Sequence, residues 1–322
     1  MRIAHIIDHE GEGTIHYLVR PLSVFEGVSV FSLTDIITHQ IDFSLFADYS
    51  HIIVHTSGGG GGIILTHLRD FFPNRHRIFV FFHTSFEYQK YKGRGNKLIA
   101  NLREQGKEIV VFTPSTQVSE QYKELGFPVF TIQIGIPPIK KEATQDISSL
   151  SVYYGKIITT CTSSKSCYKY IKGLDLFQLC INELKAQQNA LICGIDNYTD
   201  NQISCFKFNC EDFLNVLAHS KIYVQFSRFE SYNTTAIQAK QLGIPVVVLN
   251  TEGTQSCMGN YVFNSVFDAK QEIRRIITSS SDHNLLARLK QDSLKRESIN
   301  SFHNSINYSI HLIDEQFTQK SI

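Results

Sequence analysis

The chain has 322 residues, with 31 Lys and Arg against 30 Asp and Glu, and 42% of it is hydrophobic. A net charge of +1 removes any global argument for nucleic acid as a partner, and the apolar content suffices for a sizeable core in about two domains. No apolar run reaches the ~20 residues of a membrane helix, and the opening "MRIAHIIDHEGEG" lacks the basic flank and long apolar core of a signal peptide, so a cytoplasmic location is expected.

Strand and helix alternate along the chain. "RIAHIID", "VSVFSL", "HIIVHT", "RIFVFFHT", "EIVVFT" and "VFTIQIG" read as strands. They are continuous apolar runs, as a parallel sheet covered on both faces requires. "GIILTHLRDFF", "NKLIANLREQG" and "STQVSEQYKELG" read as the helices between them, the last opening on a Ser-Thr cap and closing on Gly126. At 135–151, "GIPPIKKEATQDISSLS" breaks the pattern and reads as a linker. Alternation then resumes with strands "GKIITTC", "NALICGI", "KIYVQFS" and "IPVVVLN" and the helix "GLDLFQLCINELKAQQ". From about 267 onward the chain is polar and helix-like. The expected organisation is a Rossmann-like domain over 1–140, a linker over 141–151, a second such domain over 152–300, and a C-terminal helix over 301–322 that packs back on the first domain. Two doubly wound α/β domains would face each other across a cleft, with chemistry in the loops at the carboxyl ends of the strands.

All seven cysteines lie between 161 and 257 with no Cys-x-x-Cys, which suits free thiols in a reducing compartment. Nine of thirteen histidines fall in the first 83 residues, and no pair has zincin spacing. The chain contains no Asp-x-Asp, a common metal-holding motif, so no metal is expected.

The segment "KIYVQFSRFESYNTTAIQAKQLGIPVVVLN" reads as strand, loop, short helix, strand. Ser231 or Asn233 caps the helix, Gly243 ends it, and Pro245 stops it continuing. A helix N-terminus at a strand's carboxyl end suits a diphosphate. Glu230 at its lip suits sugar hydroxyls or developing positive charge, and Gln238, further along the helix, suits a ribose. An ordinary βαβ unit with a solvated Glu and a surface Gln is the plainer alternative.

This segment resembles the donor-binding signature of retaining GT-B glycosyltransferases, particularly family four: Ser227, Glu230, Ala239, Gly243, Pro245, Val246 and Val247 match in type and spacing. "YIKGLDLF" resembles the family's Lys-Gly-x-Asp, "LICGI" its Gly-bearing strand end, "FFHTS" its N-domain strand ending in His, and "FTPST" through "IQIGIP" its last N-domain unit. The resemblance implies a GT-B fold and a metal-independent hexosyltransferase, with no cofactor and a nucleotide sugar as substrate. Its implied catalytic residues are Glu230, His83 and Lys172. Its implied donor-binding residues are Gln238, Ser231, Tyr232, Asn233, Thr234, Lys165, Gly194, Gly11 and Gly13. The implied donor is a UDP-sugar or GDP-sugar, and the implied acceptor a hydroxyl of a glycan or lipid-linked envelope or exopolysaccharide precursor. Two departures stand out. Gln238 replaces the second Glu, and "TTCTSSKSCYKYIKG" has no Arg before the Lys-Gly, only Lys165 and Lys169. A transferase-like partner subunit without catalysis is the rival these departures support.

Three further motifs have competing readings. Gly58 to Gly62 form either a phosphate-cradling loop or a connector, and no Walker A Lys follows. "DHEGEGTIH" begins like a dinucleotide fingerprint, but His16 takes the place of the third Gly, which leaves an NAD-dependent oxidoreductase as the most distant alternative. Lys90, Lys92, Arg94 and Lys97 read as a solvated loop, or as a contact with an anionic membrane surface at its inner face or with a phosphate-bearing acceptor.

Overall fold

The computed structural model describes residues 1–322 apart from 9–13, 39–40, 57–63, 66–67, 69–76, 105, 107–108, 141–144, 146, 162–164, 195–197, 201, 252, 255–261, 279–282 and 320–322. It divides into two compact units: Met1–Pro137 with Glu297–Ile322, and Pro138–Arg296. The first sheet contains β1 (Ile3–Ile7), β2 (Val28–Ser32), β3 (His51–Thr56), β4 (Ile78–Phe82), β5 (Val110–Thr113) and β6 (Val129–Thr131) in the order β2-β1-β3-β4-β5-β6. All its pairings are parallel. The chain winds outward from β1 to β2, then returns to the other side of β1 for β3. The switch point of this sheet therefore lies between β1 and β3.

Strand alternation gives the sheet two different faces. Ala4, Ile6, Ile52, Val54, Ile78, Val80 and Phe82 share one aliphatic and aromatic core. The other parity carries His5, His51, His55, Phe79, Phe81 and His83. Here His51 stacks on Phe79 and His55 on Phe81, at 5.8 and 5.2 Å between ring centroids. Helix Ile299–Gln319 packs on this face: Phe302 meets Phe81 edge-on at 6.0 Å, and Asp314 lies 3.2 Å from His51 Nε2. The close seat of this helix fixes Gly135, where an added Cβ would lie 1.8 Å from the carbonyl oxygen of Ser298.

The second unit carries β7 (Ile157–Thr160), β8 (Ala190–Cys193), β9 (Tyr198–Asp200), β10 (Ile203–Phe206), β11 (Ile222–Gln225), β12 (Val246–Leu249) and β13 (Val262–Phe263), in the order β13-β12-β11-β7-β8-β10-β9. Its switch point lies between β7 and β11. Its core joins Ile157, Ile192, Val224 and Val247 to Phe177, Ile181 and Ile273 of the covering helices.

Sequence reasoning missed β9, β10 and β13. They lie at the sheet's two sides and are short, and β10 alternates buried Ile203 and Cys205 with exposed Ser204 instead of running apolar throughout. β9 also runs antiparallel to β10, so this sheet is not wholly parallel.

The unit boundaries differ from those expected. The chain changes unit at 137–138 and again at 296–297, and the stretch read as a linker belongs to the second unit. Its polar residues are stitched in: Asn215 Nδ2 donates to the Gln145 carbonyl, the Ile147 N–H donates to Tyr154 Oη (3.0 Å), and Tyr154 Oη donates to Asn215 Oδ1 (2.6 Å). The basic stretch 86–97 is not a loop. It forms two helices, Phe86–Tyr91 and Gly95–Glu104, because Ser85 caps the first, Phe86 and Gln89 are buried, and Gly93 turns the chain at φ +68°. No described helix is long and apolar enough to cross a membrane.

Candidate functional site

The polar chemistry of the second unit gathers at its switch point. β7 ends on Thr160 and β11 on Gln225, neighbours across the sheet. The turn after helix Ser166–Ile171 brings Lys172, and the turn after β11 brings Glu230. Lys172 Nζ donates to Glu230 Oε2 at 2.8 Å, and Ser227 Oγ donates to the same oxygen at 3.1 Å. The two side chains are 25% and 11% exposed, so the pair is screened by protein on most sides yet reachable from solvent.

Backbone geometry fixes that meeting. Gly173 takes φ +64°, and a Cβ there would lie 1.8 Å from the carbonyl oxygen of Phe226. The Arg228 N–H donates to the Ile171 carbonyl at 2.8 Å. The turn bearing Lys172 and the loop bearing Glu230 are therefore in direct backbone contact, which only glycine at 173 permits. On its other side, the Glu230 loop meets Gly253, where an added Cβ would lie 1.8 Å from the Ser231 carbonyl oxygen and 2.7 Å from that of Glu230.

A buried amide holds the Lys172 turn to the sheet. Gln225 Nε2 donates to the Lys172 carbonyl (2.8 Å), while Gln225 Oε1 accepts from Thr160 Oγ1 (2.8 Å) and Tyr223 Oη (2.9 Å). Burial pushes the Tyr223 hydroxyl's pKa well up, so it stays a neutral donor. Outside this ladder, Arg228 forms a bidentate pair with Asp175 (2.7 Å for each bond), donates to the Tyr170 carbonyl (2.8 Å) and stacks over the Tyr170 ring at 4.0 Å. The Arg228 guanidinium holds the Asp175 carboxyl below its usual pKa range. Sequence reasoning gave no role to Gln225, Arg228 or Gly253. Gln225 did leave a signal: a polar residue inside an otherwise apolar buried strand.

Helix Thr234–Leu242 begins four residues after Glu230. Asn233 is its cap, accepting from the Ala236 N–H at 3.0 Å, and Ser231 is not. Gly243 closes it at φ +80°, with the Gly243 and Ile244 N–H groups donating to the carbonyls of Lys240 and Ala239. Gln238 is 7% exposed, so it is not the surface residue of the plainer alternative. Thr234 and Gln238 are four apart and share a face of this helix. Ser231 and Asn233 are buried, and Tyr232 and Thr234 are half-buried. Lys165 flanks helix Ser166–Ile171, its carbonyl accepting from Tyr168 and Lys169. Gly194 follows β8 at φ +101°, its N–H donating to the Phe206 carbonyl at 2.8 Å. Gly11, Gly13 and the loop Gly58 to Gly62 lie outside the described residues.

His83 belongs to the other unit, at the carboxyl end of β4, where it closes a row of three imidazoles. His5 Nδ1 is 2.8 Å from His55 Nε2, and His55 Nδ1 is 2.9 Å from His83 Nε2. His5 and His55 sit on β1 and β3, the strands flanking that sheet's switch point. Both are fully buried, which lowers the pKa of His5 to about 3 and that of His55 well below the usual imidazole range. Both rings are therefore neutral. The arrangement is one of hydrogen-bonded imidazoles; among the described residues no group of His, Cys, Asp and Glu is placed to hold a metal ion.

No protein-family model matches the chain, and no curated protein matches it. Solved structures do match in fold. Sucrose-phosphate synthase from Thermosynechococcus elongatus aligns with a TM-score of 0.64 at 14% identity, over 99% of this chain and 99% of that one. HepE from Anabaena, solved in complex with UDP-glucose, aligns with a TM-score of 0.66 at 11% identity, over 99% and 100%. A trehalose-6-phosphate synthase, studied for glycosyl transfer with retention, aligns with a TM-score of 0.66 at 11% identity, over 97% and 99%. Across nearly its whole length, the chain has the fold of the GT-B glycosyltransferases.

Proposed function

We propose that the protein is a retaining glycosyltransferase of the family-four type, working without a metal ion. It takes a nucleoside-diphosphate sugar, with UDP the favoured nucleotide, and glycosylates a hydroxyl of a glycan or lipid-linked precursor. The observation that carries this reading is the Lys172–Glu230 pair at the β7/β11 switch point, a cation and a carboxylate 2.8 Å apart on two backbone-locked turns. In this reading Lys172 meets the diphosphate, a role for a fixed cation beside the capped N-terminus of helix Thr234–Leu242. Glu230 takes the sugar hydroxyls and stabilises positive charge developing at the anomeric carbon. Their mutual bond keeps each charge balanced, and a diphosphate sugar offers each a second partner of the right sign and hydrogen-bonding type.

The leaving diphosphate assists the acceptor on the face it departs from, so the protein's task is positioning and charge stabilisation rather than nucleophilic attack. Gln238 binds the ribose, since an amide both donates and accepts. Ser231, Tyr232, Asn233, Thr234, Lys165 and Gly194 line the donor. His83 is assigned to the donor sugar. HepE was solved with UDP-glucose, which supports UDP as the first nucleotide to test. The rival is a transferase-like subunit without catalysis, favoured by the absence of an Arg before Lys172 and by Gln238. Titration calorimetry with UDP, GDP and NAD decides among these. UDP or GDP binding is expected. Binding of NAD alone overturns the reading, and nucleotide binding without turnover of any UDP- or GDP-sugar favours the silent subunit.

A further inference from the structure

The carboxyl end of β11 sorts its side chains by parity. Ile222, Val224 and Phe226 enter the apolar core of the second unit. Tyr223, Gln225 and Ser227, on the other parity, are buried polar residues. Two of them reach the charged pair. Gln225 Nε2 donates to the Lys172 carbonyl at 2.8 Å, and Ser227 Oγ donates to Glu230 Oε2 at 3.1 Å. Each member of the pair thus has a tie to the β11 segment separate from its bond to the other.

The Gln225 amide has one orientation that suits its surroundings. A carbonyl only accepts, so the NH2 group must face Lys172. Oε1 then faces the hydroxyls of Thr160 and Tyr223, at 2.8 and 2.9 Å, and accepts from both. The reversed amide would set its oxygen against the Lys172 carbonyl oxygen. Gln225 is 2% exposed, so water offers the amide no easy substitute for these partners.

Lys172 is held at three points. Its N–H donates to the Tyr168 carbonyl at 2.9 Å, its carbonyl accepts from Gln225, and its Nζ donates to Glu230. An anionic ligand that engages the ammonium competes with the third tie and leaves the other two. The first of these lies within the turn itself. The Gln225 bond is the one that fixes the peptide plane between Lys172 and Gly173 against β11.

We propose that Gln225 is a positioning residue for a diphosphate-bearing ligand: its amide fixes the peptide after Lys172, and so the place of the Lys172 ammonium, when the ligand engages that ammonium. Gln225 acts through Lys172 and does not itself touch the ligand. The ligand's identity rests on the function proposed above.

The test is titration calorimetry of UDP and of uridine on the wild type, Gln225→Met, Lys172→Met and the double variant, with GDP and guanosine in their place if only GDP binds. Thermal melting checks that each variant is folded. Gln225→Met is expected to weaken UDP binding about tenfold, the worth of one neutral hydrogen bond, and to leave uridine unchanged. In the Lys172→Met background it is expected to cost nothing more, since no ammonium is left to place. A merely structural role would weaken both ligands, or weaken UDP equally in both backgrounds. Either result overturns the proposal, and so does unchanged UDP affinity in Gln225→Met. If Gln225→Met does not fold, Gln225→Asn decides. It keeps an amide for the two hydroxyls but is one methylene shorter toward the Lys172 carbonyl, so the same loss confined to UDP is expected, and its absence overturns the proposal. A wild type that binds neither UDP nor GDP removes the functional reading and this role together. A wild type that binds UDP, with Gln225 variants that bind it equally well, removes this role alone.

Discussion

The two units solve the same topological problem with opposite chemistry. Each is a doubly wound sheet, and each places polar side chains where its strand order reverses. In the second unit the β7/β11 junction carries opposite charges, Lys172 and Glu230, partly open to solvent. In the first unit the β1/β3 junction carries buried neutral rings, His5 and His55, under an aromatic layer. The difference teaches what each junction can do. Half-open charges can exchange partners with an ionic ligand, while fully buried imidazoles can only fix where a proton sits.

The charged junction depends on backbone contact, and its sharpest break is Gly173→Ala. The residue combines φ +64° with a Cβ 1.8 Å from a carbonyl oxygen, so one of the two turns must move. A loss of more than about 3 kcal/mol in chemical denaturation is expected, from strain and clash together. A change under about 1 kcal/mol would mean the turns are not locked as described.

Glu230→Gln leaves the backbone alone and removes the charge. Sugar-transfer activity is expected to fall ~10²-fold or more with the melting temperature nearly unchanged. Unchanged turnover removes Glu230 from the mechanism.

Acid sensitivity separates the junctions more finely. His5 and His55 have folded-state pKa values below the unfolded value, so the unfolded chain binds protons first. The stability from keeping them neutral is complete above about pH 6.5 and declines as pH falls toward 3. Asp175 is also lowered, by Arg228, but its contribution is present above about pH 4 and declines only below it. Its carboxylate is 56% exposed, so the effect is small. Denaturation at pH 7, 5 and 3 should show the first loss between 7 and 5 in the wild type and a smaller loss there in His55→Phe, where the buried His5 remains. Arg228→Met should alter only the lowest step.

The sequence made the sheets and the charged junction readable and left the supports hidden. Continuous apolar runs such as "HIIVHT" and "IPVVVLN" identify central strands because both faces are buried. Short side strands escape because β9 and β13 span only three and two residues. Glu230 and a cap at Ser231 or Asn233 were legible from local order, and Lys172 from the family resemblance. Gln225, Arg228 and Gly253 were not, because their partners lie up to 58 residues away in sequence and only the fold brings them together. His5 and His55 were visible as polar residues in apolar strands, but their alignment with His83 depends on which strands are neighbours.

The most direct measurement of the central claim compares UDP with uridine on the wild type and on Lys172→Met by titration calorimetry. If Lys172 serves the diphosphate, the substitution weakens UDP binding about 10- to 100-fold, the worth of one charge-assisted contact, and leaves uridine binding unchanged. Equal loss for both ligands, or none for either, contradicts a diphosphate site at the β7/β11 junction.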